Sequence, residues 1–188
     1  DLNSPFLFVD QINTSGKRCL VRLDLNVPTA DGVVGDDTRI RRTLPGLRAL
    51  RETGARLVIL THLGRPKGKV VPDMSVKPVA AALSALLGCE VPVESDVTGP
   101  GGHAAVERLA DGDLLMMENL RFHPGEEAND PDFAAALAAL GEVYVGDAFS
   151  CTHRAHASVE ALPRLMEVAT AGRSLGEELT ALHLSLIH

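Results

Sequence analysis

The sequence has no tryptophan and few other aromatic residues, one tyrosine and five phenylalanines among 188 residues. Proteins that bind single-stranded nucleic acid stack the bases on aromatic side chains, so this composition argues against such a surface. Acidic residues outnumber basic residues by 25 to 18, which gives a formal net charge of −7. A chain of that charge is poorly suited to the phosphate backbone of DNA or RNA. We therefore expect no nucleic-acid partner.

Cysteines and long apolar runs are also scarce. The three cysteines, Cys19, Cys89 and Cys151, are widely spaced and odd in number, so they indicate neither a disulfide framework nor a zinc site. No uncharged apolar run approaches the ~20 residues of a membrane-spanning helix. The first residues lack the basic region and apolar core of a signal peptide. These features predict a cytoplasmic protein with no membrane partner.

Apolar, β-branched-rich runs alternate along the chain with helical patterns. The predicted strands are Cys19–Leu25, Arg56–Leu60, Glu90–Val93, Asp113–Met117 and Glu142–Val145. The predicted helices are Thr38–Thr53, Ser75–Leu87, His103–Ala110 and Pro131–Leu140. Strands that alternate with helices pair in parallel through right-handed crossovers. The fold class predicted is α/β, an open doubly wound parallel sheet, with its ligand site beyond the carboxyl ends of the strands.

Polar side chains occupy the end of the first predicted strand. With the two-residue period of a strand, Arg22, Asp24 and Asn26 share one face. Polar groups between a sheet and its covering helices are costly unless they are paired. An ion pair between Arg22 and Asp24 that holds the strand end is one interpretation. A ligand contact is the other, and it suits Asp24 and Asn26 better because they lie at the strand terminus.

Cations recur at the same end of the predicted sheet. His62 and Arg65 follow the second strand, Arg121 follows the fourth, Arg154 follows the fifth, and Arg39 lies at the start of the first helix. A single exposed arginine is usually a solvated surface residue. Four arginines at one rim repel each other, so the cluster implies an anionic ligand. Guanidinium groups bind carboxylate and phosphate oxygens in pairs, which predicts a small ligand that carries both groups.

Several other motifs are interpreted as structural. Gly99–Ala104 matches GxGxxA, but it does not directly follow the first strand, so a loop and a helix start are predicted there. His153 and His156 have no evident third ligand, so no metal is predicted. Cys151 is interpreted as a buried thiol and Glu126–Glu127 as a solvated acidic turn.

Four strings, in this order, carry a resemblance to a known family: VRLDLNVP, THLGRP, ENLRFH and DAFSCTHRAHAS. They resemble the amino-terminal lobe of phosphoglycerate kinase, from about Phe8 to Ser158 and more loosely to about Leu182. The resemblance implies a Rossmann-like parallel sheet that binds 3-phosphoglycerate. The substrate-binding residues that it implies are Asp24, Asn26, Arg39, His62, Arg65, Arg121 and Arg154.

The same resemblance implies phosphoryl transfer between ATP and the carboxylate of 3-phosphoglycerate, which gives 1,3-bisphosphoglycerate and ADP. Arg39 corresponds to the family's cation nearest the transferring phosphoryl group, so it is the catalytic residue implied here. In the family, magnesium and ATP are bound by a carboxyl-terminal lobe. The glycine-rich and lysine-bearing segments of that lobe have no counterpart in this sequence, so no cofactor and no metal are expected in this chain alone.

The expected organisation is a phosphoglycerate-binding lobe over residues 1–170 and the start of an interlobe helix over residues 171–188. That helix expects the carboxyl-terminal lobe as its partner. Leu184–His188 departs from the helix pattern and is interpreted as foreign or out of frame. Ser150–Thr152 replaces the family's commoner Gly-Thr-Ala, which is expected to change packing only. The chain alone is expected to bind 3-phosphoglycerate weakly, with no kinase turnover.

Two alternative functions remain open. The first is a free-standing, non-catalytic phosphometabolite-binding or interaction module, which would end in a polar, self-contained segment. An apolar stripe over Leu175, Leu179, Leu182 and Leu186 argues against it, because such a stripe expects a partner surface. The second is a nicotinamide-dependent dehydrogenase, which rests on Gly99–Ala104 alone.

Overall fold

Seven parallel strands form the central sheet of the computed structural model, which describes residues 7–8, 13–147 and 155–171. The strands are β1 (Leu7–Phe8), β2 (Arg18–Leu23), β5 (Arg56–Leu60), β6 (Val93–Glu94), β7 (Leu114–Met117), β8 (Val143–Asp147) and β9 (Val168–Ala171). Their spatial order is β1-β9-β8-β2-β5-β7-β6, and every pairing is parallel. A separate antiparallel hairpin pairs β3 (Thr29–Ala30) with β4 (Val33–Val34).

Helices cover both faces of the sheet. They are α1 (Thr38–Glu52), α2 (Lys77–Leu87), α3 (Pro100–Glu107), α4 (Pro124–Glu127), α5 (Pro131–Ala138) and α6 (Leu162–Leu165). Short 3₁₀ turns lie at Pro72–Met74 and Leu120–Phe122, and a π-helical turn lies at Ala157–Ala161. The prediction of a doubly wound parallel sheet with helices on both sides is confirmed.

The core is divided by the alternation of side chains along each strand. Odd-numbered residues of β2 such as Cys19 and Val21 pack with α1 and α2 on one face. Leu20 of the same strand packs with α3 and α5 on the other face. On α1 the buried apolar residues Ile40, Leu44, Leu47 and Leu50 recur at spacings of three or four, the period of one helix face. The near-continuous apolar strands are explained by this burial on both faces.

The order of the strands fixes the place of the ligand rim. β2 is central, with β5 on one side and β8 on the other. The chain winds outward from β2 to β5 and β7, and only later returns to place β8 against the other edge of β2. In an open α/β sheet this reversal leaves a crevice beyond the carboxyl ends of the strands. The segments that follow β2, β5 and β7 therefore converge at one end of the molecule.

The predicted elements differ from the observed ones mainly at their ends. Pro92 cannot donate to a strand ladder, so β6 is shorter than predicted, although the Pro92 carbonyl still accepts from Met116 N at 2.9 Å. α3 begins three residues earlier than predicted, because Pro100 suits the first helical position and Gly99 is its N-cap. The glycines that follow α1 and α2, Gly54 and Gly88, have left-handed φ values of +83° and +71°, as is common where helices end.

Some elements were not predicted. β1 and the β3–β4 hairpin are each two residues long per strand, too short for a periodic pattern. β9 (Val168–Ala171) and α4 (Pro124–Glu127) are also short. Ala171, the first residue of the expected interlobe segment, is the last residue of β9. The remainder of that segment and its predicted helix lie outside the described residues.

Candidate functional site

The loop after β2 is organised around the Asp24 carboxylate. Asp24 Oδ1 accepts from the backbone N–H of Asn26 at 3.3 Å, the local turn that aspartate commonly makes. The same oxygen accepts from Arg39 Nη1 at 3.4 Å. Arg39 Nη1 also donates to the Asn26 carbonyl at 2.9 Å. Arg39 lies in the first turn of α1, so these contacts hold its half-exposed guanidinium against the loop.

Gly64 joins the loop after β2 to the loop after β7. Its backbone N–H donates to Asn26 Oδ1 at 3.0 Å, and its carbonyl accepts from Arg121 Nη1 at 2.9 Å. Its φ of +64° lies in the left-handed region that favours glycine. A Cβ at this position would come within 3.1 Å of Met74 Sδ. Glycine is therefore favoured here by conformation, and a Cβ would also need the Met74 side chain to shift.

Arg121 is held by a buried polar turn that the sequence did not reveal. Asn119, fully buried, accepts from the backbone N–H of Arg121 at 3.0 Å through Oδ1. Its Nδ2 donates to the carbonyls of Leu63 at 2.7 Å and Met74 at 2.9 Å. Asn119 therefore ties the loop after β7 to the loop after β5. Polar residues directly after a buried strand were the available signal, but only Arg121 was selected from that motif.

Glu118 performs a similar anchoring role one residue earlier. Its two carboxylate oxygens accept from Ser75 Oγ at 2.7 Å and from the backbone N–H of Val76 at 2.9 Å. These bonds fasten the segment that leads into α2. The floor of the rim is thus built from side chains of the strand ends bonded to the backbone of neighbouring loops.

His62 and Arg65 occupy different environments although only two residues separate them. His62 is 3 % exposed, and its Nδ1 lies 2.6 Å from Arg22 Nη2. Arg65 is exposed, and no described residue pairs with its guanidinium. Arg65 is thus open to a ligand, whereas His62 is packed beneath the rim.

Arg22 is bound to residues other than the Asp24 suggested as its ion-pair partner. Its Nε donates to Ser158 Oγ at 2.9 Å, its Nη1 to the Leu23 carbonyl at 2.5 Å, and its Nη2 contacts His62. The side chain is 1 % exposed, on the face of the sheet covered by α5 and the π-helical turn. Arg22 is buried between the sheet and this helical layer, whereas Asp24 lies in the loop beyond the strand and bonds to Arg39. The suggested ion pair between Arg22 and Asp24 is therefore not formed.

The interpretation of Glu126 as part of a solvated turn was wrong. Glu126 is fully buried, and its carboxylate accepts both from the backbone N–H of Ser158, at 2.7 Å, and from Ser158 Oγ. Only its neighbour Glu127 is exposed, with its Oε1 at 4.0 Å from Arg121 Nε. The two adjacent carboxylates of this four-residue helix thus have opposite environments, one buried and one exposed. Residue type alone could not indicate which of them is buried.

Of the seven residues expected at the rim, the described structure brings four into one connected set. Asp24, Asn26, Arg39 and Arg121 are linked through Gly64, and Arg65 follows Gly64 directly. His62 lies beneath them. Arg154 lies outside the described residues. Arg65 is exposed and Arg39 half-exposed, whereas Arg121 is buried and bonded to Gly64. Two guanidinium groups of this set therefore face solvent over a hydrogen-bonded floor, an arrangement suited to a small anion.

The glycine-rich segment before α3 does not form a nucleotide cradle. Asp96 Oδ2 accepts from the Gly101 N–H at 2.7 Å, so a carboxylate already occupies the start of this helix. A Cβ at Gly102 would lie 1.9 Å from the Val97 carbonyl oxygen, so close backbone packing accounts for that glycine. The predicted loop and helix start are confirmed, and this segment does not fit a phosphate group.

The cysteine, metal and membrane interpretations can be compared with the structure only in the described part of the chain. Burial raises the pKa of the Cys19 thiol to about 12, so this cysteine stays protonated. Among the described residues no group of three or more histidine, cysteine, aspartate or glutamate side chains could hold a metal ion. No helix in the described ranges is long and apolar enough to span a membrane. Cys151 and His153 lie outside those ranges.

Comparisons with known proteins agree with this geometry. The family model for phosphoglycerate kinase matches residues 9–187. A phosphoglycerate kinase of Ruegeria sp. (strain TM1040) is 53 % identical over 178 residues, which is 95 % of this chain and 45 % of the relative. One of Chlorobaculum tepidum is 50 % identical over 179 residues, with the same two coverages.

Solved structures give the same result. Phosphoglycerate kinase from Coxiella burnetii superposes with a TM-score of 0.86 at 37 % identity, over 95 % of this chain and 44 % of that one. The enzyme from Pyrococcus horikoshii OT3 superposes with a TM-score of 0.84 at 29 % identity, over 94 % and 45 %. The chain thus spans less than half the length of these relatives.

Proposed function

The chain belongs to the phosphoglycerate kinase family, and we propose that its arginine-rich rim binds 3-phosphoglycerate. The observation that carries the proposal is the connected set Asp24–Asn26–Arg39–Gly64–Arg121, with Arg65 open beside it. A phosphate monoester carries about −1.5 to −2 charges near neutral pH and a carboxylate adds one more. Several guanidinium groups at one rim match that charge, although the whole chain has a net charge of −7.

The residues have different roles in this proposal. Arg65 and the half-exposed Arg39 donate to the anionic oxygens of the ligand. Asp24 and Asn26 orient 3-phosphoglycerate, and they hold Arg39 through their hydrogen bonds to its guanidinium group. Arg121, His62 and Arg154 complete the set. The buried bonds of Gly64 and Asn119 keep the rim rigid, so little conformational entropy is lost when the ligand binds.

The whole protein, in this proposal, carries out the glycolytic phosphoryl transfer of its family in the cytoplasm. A new P–O bond forms between the γ-phosphorus of ATP and a carboxylate oxygen of 3-phosphoglycerate. The bond from that phosphorus to the bridging oxygen of ADP breaks, which gives 1,3-bisphosphoglycerate and ADP. Such chemistry depends on positioning and charge neutralisation, and Arg39 is the residue proposed to offset charge on the transferring group.

No group of side chains among the described residues could hold a magnesium ion. We propose that magnesium and ATP are bound by a carboxyl-terminal lobe, as the family resemblance implies. We therefore expect the 188-residue chain on its own to bind 3-phosphoglycerate weakly and to show no ATP-dependent turnover. An ATP-dependent release of ADP by the purified 188-residue chain contradicts this part.

Calorimetric titration tests the binding. 3-Phosphoglycerate is titrated into the chain, into a double variant with Arg39→Ala and Arg65→Ala, and into Arg48→Ala. Arg48 is an exposed arginine further along α1, bonded to the Leu86 carbonyl at 3.3 Å, so its variant controls for loss of positive charge. We expect heat from the wild type and Arg48→Ala, and at least a tenfold weaker affinity in the double variant, since charge-assisted bonds contribute about 1.5–3 kcal/mol each.

Two results contradict the proposal. One is the absence of heat from the wild type at millimolar ligand. The other is an affinity that the double variant leaves unchanged. A titration with a nicotinamide dinucleotide in place of 3-phosphoglycerate examines the dehydrogenase alternative, for which binding is not expected because Asp96 occupies the start of α3.

A further inference from the structure

A buried relay of hydrogen bonds runs beneath the rim, from His62 on the loop after β5 to Glu126 on α4. Arg22 bonds to His62 Nδ1 at 2.6 Å and to Ser158 Oγ at 2.9 Å, and Ser158 Oγ bonds to the Glu126 carboxylate. Arg22 is 1 % exposed, and Ser158 and Glu126 are fully buried. The proposed function above uses only the first member of this relay, His62.

The direction of donation along this relay is fixed by the chemistry of its ends. A guanidinium group has five N–H donors and no acceptor. A carboxylate accepts and does not donate. Ser158 Oγ must therefore accept from Arg22 Nε and give its own proton to Glu126. The backbone N–H of Ser158 also donates to Glu126, at 2.7 Å, and this second bond fixes the orientation of the carboxylate.

At its other end the relay reaches the imidazole ring of His62, through the contact between Arg22 Nη2 and His62 Nδ1. Arg22 Nη2 can only donate, so His62 Nδ1 must be the acceptor in this contact. A neutral imidazole whose Nδ1 carries no proton carries it on Nε2. We infer that Arg22 is a positioning residue, which fixes His62 as the single tautomer with its proton on Nε2.

This inference rests on the proposed function in one respect, the identity of the ligand that His62 meets. An N–H at Nε2 is a donor suited to a phosphate or carboxylate oxygen. The other tautomer would present a lone pair at Nε2 and repel such an oxygen. Arg22 thus contributes to anion binding without touching the anion, by determining which ring nitrogen donates.

The charges around the relay are consistent with this role. Glu126, joined to Arg22 through Ser158, partly offsets the buried positive charge. The Tyr144 hydroxyl of β8 donates to the Ser158 carbonyl at 2.8 Å and holds the π-helical turn in place. Arg22 is therefore held from three sides, by β8 through Tyr144 and Ser158, by α4 through Glu126, and by its own strand through the Leu23 carbonyl.

The first experiment reads the tautomer directly. The chain is labelled with ¹⁵N in histidine, and the two ring nitrogens of His62, assigned with His62→Gln, are recorded by long-range ¹H–¹⁵N correlation without ligand. We expect one protonated Nε2 and one unprotonated Nδ1 in the wild type. In Arg22→Met, which has a similar length but no donor, we expect the two shifts to move together as the tautomers mix. Arg22→Lys keeps a donor and is expected to restore the single tautomer.

A protonated Nδ1 or a mixed ring in the wild type overturns the inference. An unchanged spectrum in Arg22→Met also overturns it. If Arg22→Met does not fold, as circular dichroism would reveal, the wild type and Arg22→Lys still decide the tautomer. These readings need no ligand, so they stand apart from the proposed function.

The second experiment is a double-mutant cycle in binding, with Arg22→Met, His62→Ala and the pair of them. If Arg22 acts through His62, Arg22→Met weakens 3-phosphoglycerate binding about tenfold in the wild type and has no effect when His62 is already alanine. An equal loss in both backgrounds means a general structural role and overturns the inference. A wild type that binds no 3-phosphoglycerate contradicts the proposed function, while the ring nitrogens continue to test the tautomer.

Discussion

Gly64 illustrates how one backbone position can determine the geometry of a binding rim. Its N–H and carbonyl connect Asn26 with Arg121, and both bonds need its left-handed φ of +64°. An alanine there would be strained by its conformation and would press on Met74 at 3.1 Å. The position therefore couples local conformation to the placement of two side chains expected to bind the ligand.

We expect Gly64→Ala to lower the free energy of unfolding by about 1–2 kcal/mol, the cost of a left-handed non-glycine residue. We also expect it to weaken 3-phosphoglycerate binding, because Asn26 and Arg121 lose their common anchor. Gly32→Ala is the matched control, with φ +75° and nothing within 4 Å of its Cβ. Urea denaturation and calorimetry should give a similar loss of stability in both variants and a loss of affinity in Gly64→Ala alone. Equal affinities in the two variants contradict the anchoring role.

His123 is a second residue whose surroundings have a measurable consequence. Burial lowers the pKa of His123 below its usual value, and the nearby charges of Glu126 and Asp96 oppose that change. Its ring stacks on Phe133 with centroids 5.0 Å apart. The folded state therefore disfavours the charged ring that the unfolded chain accepts near pH 6.5.

The pH dependence follows from this depressed pKa. Above about pH 6.5 the ring is neutral in both states and its contribution to stability is fully present. As pH falls from there through the lowered pKa, the unfolded chain binds the proton first, so the free energy of unfolding decreases. Urea denaturation across this range should give a shallower decrease for His123→Gln than for the wild type. Identical slopes would contradict the assignment.

At the scale of the elements, the short helix α4 is held in place from its buried side. Glu126 accepts two hydrogen bonds from Ser158, so α4 and the π-helical turn are fixed to each other and to Arg22. A four-residue helix has little stability of its own. The buried carboxylate of Glu126 is therefore expected to contribute to its position.

We expect Glu126→Gln to lower the free energy of unfolding by about 2–3 kcal/mol, because one buried acceptor becomes a donor and Arg22 loses the nearby negative charge. Glu127→Gln, on the exposed side of the same helix, is expected to change stability by less than about 0.5 kcal/mol. Denaturation midpoints in urea, compared at unchanged m-value, measure both. A loss of the same size in the two variants would contradict the buried role of Glu126.

For the whole molecule, the layered fold could be predicted from the sequence because periodicity reports burial. Runs such as Arg56–Leu60 and the α1 stripe were found at or near their observed limits. β6 was predicted at Glu90–Val93 but is observed at Val93–Glu94, since Pro92 cannot donate a ladder hydrogen bond. Strand pairs as short as β3 and β4 are fixed by tertiary contacts, and two residues leave no pattern to detect.

The residues of the candidate site were only partly predictable from the sequence. The cations at the strand ends could be found, because in a parallel sheet the carboxyl ends of all strands face one way. The residues beneath them could not, because Asn119, Ser158 and Glu126 are ordinary polar residues until the fold brings distant segments together. Ser158 is 136 positions from Arg22 in the chain. Such partners have no signature in local sequence.

The relay beneath the rim also has a consequence for synthesis on the ribosome. Once residues 18–117 have emerged, β2, β5, β6 and β7 are all available to pair. Glu126, Ser158 and the α5 helix that covers the face of Arg22 have not yet been translated at that point, so the guanidinium of an early half-sheet stays in contact with water. The nascent amino-terminal half therefore lacks both the cover and the hydrogen-bond partners that Arg22 has in the complete fold. Its central strand becomes fully compatible with burial only when the last quarter of the described chain arrives.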